Sequence, residues 1–394
     1  MKKPSVSGAY FSLRLSAFFA TLGIATGIGM PFFPVWLNYK GLDAREIGIV
    51  LAAPMIIRMI FVPVITRVAD RFSILRGAII IASIGSIAGH IFLASVNGFV
   101  LLTAGMALAA LFFTPTYPLA DAYALRGLTE RGKAYGPVRL WSSVAYVVAN
   151  VASGALIAWL TRPSIVYLIM SSYFIGVILA WFLIPLAPHQ VTQDQSVPSK
   201  SLWRMPAFVL AVAAFSIVQS SHAVYYGFST LSWTAKGLSG TTIGVLWAIG
   251  VIAEIGLFAA SGFVARFVSP VALIVVGALG GVVRWSVMAF DPPFALLPVL
   301  QCLHALTFCA THVGMMQFIA HVVPPGRSAT AQGDLSATQS MVFAAAMGMS
   351  GILFSAYGDL AYLAMALMAV GGAAVALAAY LIWRDPHNER TLTP

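Results

Sequence analysis

Charge is what this chain has least of. Only 9% of its 394 residues are Asp, Glu, Lys or Arg, where soluble domains carry about 25%. A chain so poor in charge cannot cover a water-facing surface of ordinary composition, which excludes a soluble globular fold. Cysteine is nearly absent too. The two present, Cys302 and Cys309, lie seven residues apart in one apolar stretch, which excludes a disulfide framework and a cysteine zinc site. No nucleotide loop, metal-ligand cluster or nucleophile triad stands out, so the chain does not read as an enzyme and calls for neither metal nor cofactor. Basic stripes with interleaved aromatics are also lacking. The net charge of +10 is therefore not a nucleic-acid signal.

Long apolar runs take the place of what is missing. The chain is 60% hydrophobic with a mean hydropathy of +0.91, and several runs exceed the ~18 residues that a helix needs to cross a bilayer. They lack the period-2 alternation of barrel strands, so the expected fold is all-α and membrane-spanning. The segments are 12–37, 46–67, 75–95, 99–125, 138–160 and 164–187, then 207–234, 242–266, 270–290, 295–323, 330–357 and 360–383. The first is too long for a cleavable signal and reads as a helix. Fourteen Lys and Arg residues fall in the loops on one side and four on the other. By the positive-inside rule the termini and the central loop are cytoplasmic, and a bacterial-type inner membrane is the expected location.

The sequence is also written twice. Lys40-Gly41-Leu42, four residues, Ile47-Gly48 returns as Lys236-Gly237-Leu238, four residues, Ile243-Gly244. A period of 196 residues is far too long for a solenoid. It predicts two six-helix bundles, 1–188 and 207–394, joined by a polar linker at 189–206. Six spans per copy put the copies in the same orientation, parallel repeats about an axis along the membrane normal. At this offset Arg58 corresponds to Glu254 and Asp70 to Arg266. The loop after the second span reads Thr66-Arg67-Val68-Ala69-Asp70-Arg71, with Arg76 further on. It resembles, in degenerate form, the Gly-x-x-x-Asp-Arg loop of the major facilitator superfamily. Asp70, Arg71 and Arg76 are accordingly candidates for a cytoplasmic conformational latch.

Ionisable groups inside spans are costly and mark pathways or sites. Here they are Arg58, Asp121, Arg139, Glu254 and Arg284, joined by His90, His222, His304 and His312. Helical spacing aligns Thr114, Tyr117 and Asp121; Arg139, Ser143, Tyr146 and Asn150; Gln219, His222, Tyr226 and Trp233; and Gln301, His304, Phe308 and Thr311. Stripes that mix polar groups with rings suit a small-molecule cavity. Three arginines against two carboxylates leave one cation in excess. A guanidinium cannot shed its proton, so a bound organic monoanion is the expected partner. Glu254 is the first choice for a proton carrier, with His304 and Asp121 behind it.

Several strings carry a family resemblance: Ser221-His222-Ala223-Val224-Tyr225-Tyr226-Gly227, Tyr135-Gly136-Pro137-Val138-Arg139-Leu140-Trp141, Pro118-Leu119-Ala120-Asp121-Ala122, Gly281-Val282-Val283-Arg284-Trp285 and Gln301-Cys302-Leu303-His304. With them the chain resembles the phenylpropionate permease family of the major facilitator superfamily, relatives of the lactose permease and the nucleoside–proton symporters. The lactose permease comparison implies roles: Asp121 stands at its sugar-binding glutamate, Arg139 at the partner arginine, Glu254 at the glutamate linking sugar to proton, Arg284 and His304 at its arginine and histidine of helices nine and ten. Its principal proton glutamate is Thr307 here and its helix-ten lysine is Gln301, so neither its proton site nor its sugar specificity carries over whole.

The expected function is secondary active transport: proton-coupled import of a small, aromatic organic acid by alternating access, by a monomer in the lipid bilayer. Arg139 and Arg284 would hold the carboxylate with Arg58 as a third contact. Tyr117, Tyr146, Tyr226, His222, Asn150 and Gln301 would line the site, with Glu254, His304 and Asp121 carrying the proton. The alternatives are proton antiport exporting an aromatic or hydrophobic compound, symport of a neutral sugar or nucleoside, and a non-transporting receptor.

Overall fold

A computed structural model describes residues 8–186, 199–323 and 328–383. Within them the chain is helical and no strand occurs. The long helices of the first half are α1 (Gly8–Tyr39), α2 (Ala44–Arg71), α3 (Leu75–Ser95), α4 (Phe99–Thr129), α5 (Gly136–Trp159) and α6 (Ser164–Trp181). In the second half are α7 (Pro206–Ser220), α8 (Ala223–Ala235), α9 (Gly240–Val264), α10 (Pro270–Met288), α11 (Leu297–Cys302), α12 (Thr311–Val322), α13 (Ser328–Tyr357) and α14 (Ala361–Ile382). Eleven stretches are long and apolar enough to cross a membrane. The last of these, Thr330–Ile382, is broken at Gly358, whose φ of +57° ends α13. The described chain thus supplies the twelve expected crossings, with backbone groups bonded along each helix rather than left to lipid.

Two spans are interrupted rather than straight. The seventh breaks between α7 and α8 at Ser221 and His222. The tenth has a wide π turn, Ala305–Ala310, between α11 and α12. Both interruptions change which residues share a face, because one extra residue rotates the rest of the helix by about 100°.

The repeat seen in the sequence has a local structural cause. Gly41 and Gly237 have φ of +88° and +84°, the left-handed conformation that only glycine adopts cheaply. Around each, Gly41 N–H donates to Asn38 O and Leu42 N–H to Leu37 O, while Gly237 N–H donates to Thr234 O and Leu238 N–H to Trp233 O. These are matching helix C-caps. In the first copy, the Lys40 ammonium continues the pattern by capping α3 at Ala94 O and Val96 O, 3.0 and 2.9 Å away.

The contacts divide the chain into two compact units, one holding α1–α6 with residues 227–248, the other holding α7 and the chain from 249 on. In the first, small residues let helices touch. A Cβ on Gly27 would lie 2.6 Å from Tyr146 O, and one on Gly23 would strike the backbone of Ser142. This Gly-x-x-x-Gly spacing seats α1 on α5 by backbone contact, the packing mode lipid favours, and it fixes the α5 face that carries Arg139, Ser142 and Tyr146. Gly154 and Gly240, and Asn150 and Gly244, meet in the same way across α5 and the start of α9. The second unit packs Phe208, Val212 and Phe215 of α7 against Ile274 of α10 and Phe318 of α12.

Candidate functional site

The intramembrane polar residues gather in two clusters of different character. The first lies between α4 and α5. Arg139 Nε is 3.4 Å from Asp121 Oδ1, both side chains being about one third exposed. The hydroxyl of Tyr135 donates to that same carboxylate oxygen at 2.7 Å. Burial, and then the bond to Asp121, hold this hydroxyl above the usual tyrosine pKa range, so it remains a donor. The Arg139 guanidinium also lies over two rings, with its carbon 4.8 Å from the centre of Tyr117 and 5.3 Å from that of Phe19. Tyr117 and Ser142 share a hydrogen bond of 2.8 Å. This arginine is paired, stacked and reachable.

The second cluster is built on Arg284 of α10, whose side chain is fully buried. Nη1 donates to His304 Nδ1 at 3.1 Å and to Thr307 Oγ1 at 3.3 Å, and Nη2 donates to Gln301 Oε1 at 2.9 Å. Its carbon lies 4.6 Å from the ring centres of Tyr225 and Trp285. No carboxylate among the described residues forms an ion pair with it. Two buried donors in the cluster, Arg284 Nε and Gln301 Nε2, have no hydrogen-bond partner among the described residues.

Donor and acceptor roles follow from chemistry. A guanidinium only donates, so His304 Nδ1 accepts and its hydrogen sits on Nε2. That nitrogen faces Glu254 Oε2 at 3.6 Å. His222 Nδ1 meets Gln219 O at 3.0 Å and must donate to it, and His222 Nε2 lies 3.0 Å from Thr307 Oγ1. The His304 imidazole is therefore neutral in this arrangement. The order of groups is Glu254, His304, Arg284, Thr307, His222, one hydrogen bond or near contact apiece. Tyr226 stacks on His222 with centroids 5.4 Å apart, and Phe308 stacks on His304 at 5.3 Å.

The π turn helps make this cluster. Gln219 Nε2 donates to Phe308 O at 3.1 Å and to Thr311 Oγ1 at 2.9 Å. On α10, a Cβ at Gly277 would stand 2.6 Å from Leu306 O, so only glycine admits the widened backbone there. The expected stripe Gln301, His304, Phe308, Thr311 is therefore split: Gln301 and His304 reach Arg284, while Thr311 turns to Gln219.

The remaining expected site residues lie apart from these clusters. Tyr146 donates to Met30 Sδ at 3.4 Å. Asn150 is buried where α5 meets Gly244, donates to Tyr146 O at 3.0 Å, and leaves its Oδ1 without a partner among the described residues. Arg58 is exposed on α2, and no ion pair or hydrogen bond joins it to the described residues. Of the latch candidates, Arg76 donates to Trp181 O at 2.7 Å, capping α6 together with Arg14, which donates to Phe182 O at 2.6 Å. Arg71 is exposed over Phe72, and the side chain of Asp70 lies outside the described residues. A groove of about 620 Å³ runs beside α1 and the start of α5, lined by Ser12, Ser16, Lys133, Pro137 and Trp141 among others. None of the expected site residues lines it. Pro137 and Trp141 turn to the groove, while Arg139 turns to Tyr117 and Asp121.

Tyr225, Trp285, Thr307 and Phe19 are the contacts that reading by stripes missed. Tyr225 and Trp285 each sit beside a residue already chosen, in strings whose composition was conspicuous. Tyr225 and Tyr226, consecutive on α8, both meet rings of this cluster. Phe19 carried no signal, being one of 25 phenylalanines.

Among the described residues, apolar helices long enough to cross a membrane carry their polar groups in two clusters, the architecture of a multi-pass membrane protein. Residues 8–364 match the pattern of the MFS_1 like family, and the chain belongs to that family: it is a multi-pass secondary transporter of the major facilitator type, carrying a small molecule. It is 32% identical over 361 residues to a probable 3-phenylpropionic acid transporter of Escherichia coli (strain K12), covering 87% of this chain and 91% of that protein. It is 28% identical over 284 residues to a maltose permease of Geobacillus stearothermophilus, 70% of each. Its fold superposes on a point mutant of the nucleoside transporter NupG with a TM-score of 0.82 at 15% identity, over 95% of this chain and 100% of that one. On an inward-facing bacterial homologue of the lysosomal transporter Spinster the TM-score is 0.77 at 16% identity, covering 98% of this chain and all of that one.

Proposed function

We propose that this transporter imports a small aromatic organic acid together with one proton. The observation that carries the reading is Arg284. A permanent cation is buried in a span with no acid beside it among the described residues, and it keeps an unused N–H. Burying an isolated charge is expensive, and an arriving carboxylate removes that cost with the planar two-oxygen geometry a guanidinium prefers. Tyr225, Tyr226, Trp285 and Phe308 around the cluster suit an aromatic body. The probable 3-phenylpropionic acid transporter among the relatives supports the same chemical class.

Coupling follows from the order of groups. Glu254 takes the proton. His304 stands between Glu254 and Arg284, and its Nδ1 is committed to the arginine, so it senses the charge on both without taking up a second proton. Binding of the acid at Arg284 is relayed through His304 to Glu254, so anion and proton load together. Within its own unit, Arg139 can exchange Asp121 for a carboxylate, and Arg58 is a further candidate contact there. One proton with one monoanion moves no net charge, so the cycle escapes the ~2.3 kcal/mol per 100 mV that an uncompensated charge would meet. In this reading the chain works by alternating access between its two six-helix halves. It acts as a monomer in a bacterial-type inner membrane, termini in the cytoplasm, with the proton as coupling ion and no cofactor.

A neutral-solute symporter is the second reading, favoured by the maltose permease relative. It leaves the Arg284 charge unbalanced throughout the cycle. Counterflow in proteoliposomes separates the two, using 3-phenylpropionic acid, its amide, a nucleoside and maltose. Exchange of the acid but not of its amide is expected, with no current. Equal exchange of acid and amide would sink the acid reading, and an inward current would overturn the one-to-one stoichiometry.

A further inference from the structure

Arg284 uses its five N–H groups unevenly, and the uneven edge is informative. In a guanidinium the Nε–H and the nearer Nη2 N–H point the same way and form one edge, the edge on which a carboxylate docks with both oxygens. On Arg284 that edge holds the carboxamide oxygen of Gln301, 2.9 Å from Nη2, and the Tyr225 hydroxyl also reaches the guanidinium. Nε–H beside it has no partner among the described residues, and neither does the Gln301 nitrogen. Arg284 and Gln301 are both fully buried, so these orphan donors are not traded for bulk water. The opposite end of the guanidinium, Nη1, is fully engaged by His304 and Thr307.

We infer that Gln301 is an internal stand-in for the substrate's carboxylate. This rests on the acid reading above and deepens it. An amide offers the edge one oxygen where a carboxylate offers two. The contact is strong enough to hold the arginine in place but leaves a donor unused on each side of it. The substrate's carboxylate displaces the Gln301 oxygen and takes Nε–H and Nη2–H together. Gln301 thereby sets selectivity: a ligand without two coplanar oxygens gains nothing over the amide already there, so acids displace it and neutral analogues do not. It also sets the empty state, in which the cation is screened weakly enough to be out-competed.

The test is Gln301→Glu, measured on the purified full chain by thermal unfolding with and without 3-phenylpropionate. A built-in carboxylate should occupy the edge permanently. The empty protein then unfolds at a higher temperature than wild type, while 3-phenylpropionate no longer shifts it and its affinity falls about 100-fold, the order expected when a charged buried bond is pre-empted. Unchanged acid binding in Gln301→Glu overturns the inference, and so does a lower unfolding temperature. Gln301→Ala covers the case in which the glutamate variant fails to fold. Removing the stand-in should tighten 3-phenylpropionate binding by about fivefold or more, since a competing hydrogen bond is gone. Loss of binding as severe as in Arg284→Ala would mean that Gln301 holds the ligand rather than its place. The acid reading fails separately: wild type would then show no shift with any carboxylate, while Gln301→Glu would still be stabilised.

Discussion

Arg139 and Arg284 are the same residue in a span put to opposite uses. Arg139 is part-exposed, has an acid 3.4 Å away and lies over two rings. Arg284 is fully buried, has neutral partners only among the described residues, and retains an unused donor. A partly exposed ion pair is worth about 0–1 kcal/mol, so Asp121 can release Arg139 cheaply. A buried cation lacking an acid partner is a standing cost that a ligand removes. The first cluster is thus suited to exchanging partners and the second to waiting for one. Charge inside a membrane protein does not by itself mark a binding site; in the function proposed above, the unbalanced charge is the one that does.

Mutation can break this contrast at its strongest point first. Arg284→Ala should abolish acid binding, a loss of at least about 100-fold by equilibrium titration, since deleting one side of a buried charge pair costs about 3–5 kcal/mol. Arg284→Lys should not restore it, because an ammonium lacks the two-pronged edge. Near-normal affinity in Arg284→Ala would move the acid site to the first cluster. Next comes Glu254→Gln. Uptake driven by an imposed pH gradient should vanish while counterflow continues, which separates the proton from the anion; loss of both would make Glu254 structural.

Arg139→Ala should have a smaller effect, a rise in KM of about tenfold, and part of it should come from Asp121 left as a bare anion facing the substrate. Arg139→Ala with Asp121→Ala should therefore recover a good share of the affinity, the mark of a pair. No second substitution should rescue Arg284→Ala in that way. The smallest effect belongs to Phe19→Leu, which removes one ring from under Arg139. A cation–π contact of about 0.5–1 kcal/mol implies a change of only about two- to fivefold in KM, and a larger loss would show that the ring touches substrate.

Much of the second cluster was legible from composition. Arg284, His304, Gln301, His222 and Glu254 stand out because polar groups are rare in apolar runs. What could not be read is who faces whom. Listing signs across the chain leaves one cation in excess but cannot say which arginines stand without an acid. Asp121 could have faced any of the three, and Glu254 could have faced Arg284. Pairing depends on helix rotation, and here two local irregularities alter it. Beyond the break at Ser221 and His222, Tyr225 joins the cluster, and the π turn at Ala305–Ala310 sends Thr307 to Arg284 and Thr311 to Gln219. Regular 3.6-residue spacing, applied across both, joins Thr311 to the wrong stripe. Arg76 shows a related ambiguity: a basic residue near a helix end reads equally as a latch or a cap, and its bond to Trp181 O places it at the end of α6.

The amino-acid sequence by itself determined the membrane class, the twelve spans, the duplication and the short list of residues able to carry chemistry. Those follow from apolar length, loop charge and the cost of burying polar groups, which are properties of the residues alone. Its repeated glycines even set a local geometry, with Gly41 and Gly237 closing matching caps. Tertiary structure decided which arginine is satisfied and which is not. That outcome rests on small differences in distance, between a carboxylate 3.4 Å from Arg139 and only neutral acceptors on Arg284. Such differences arise where helices meet, from close-packed glycines, a broken span and one widened turn.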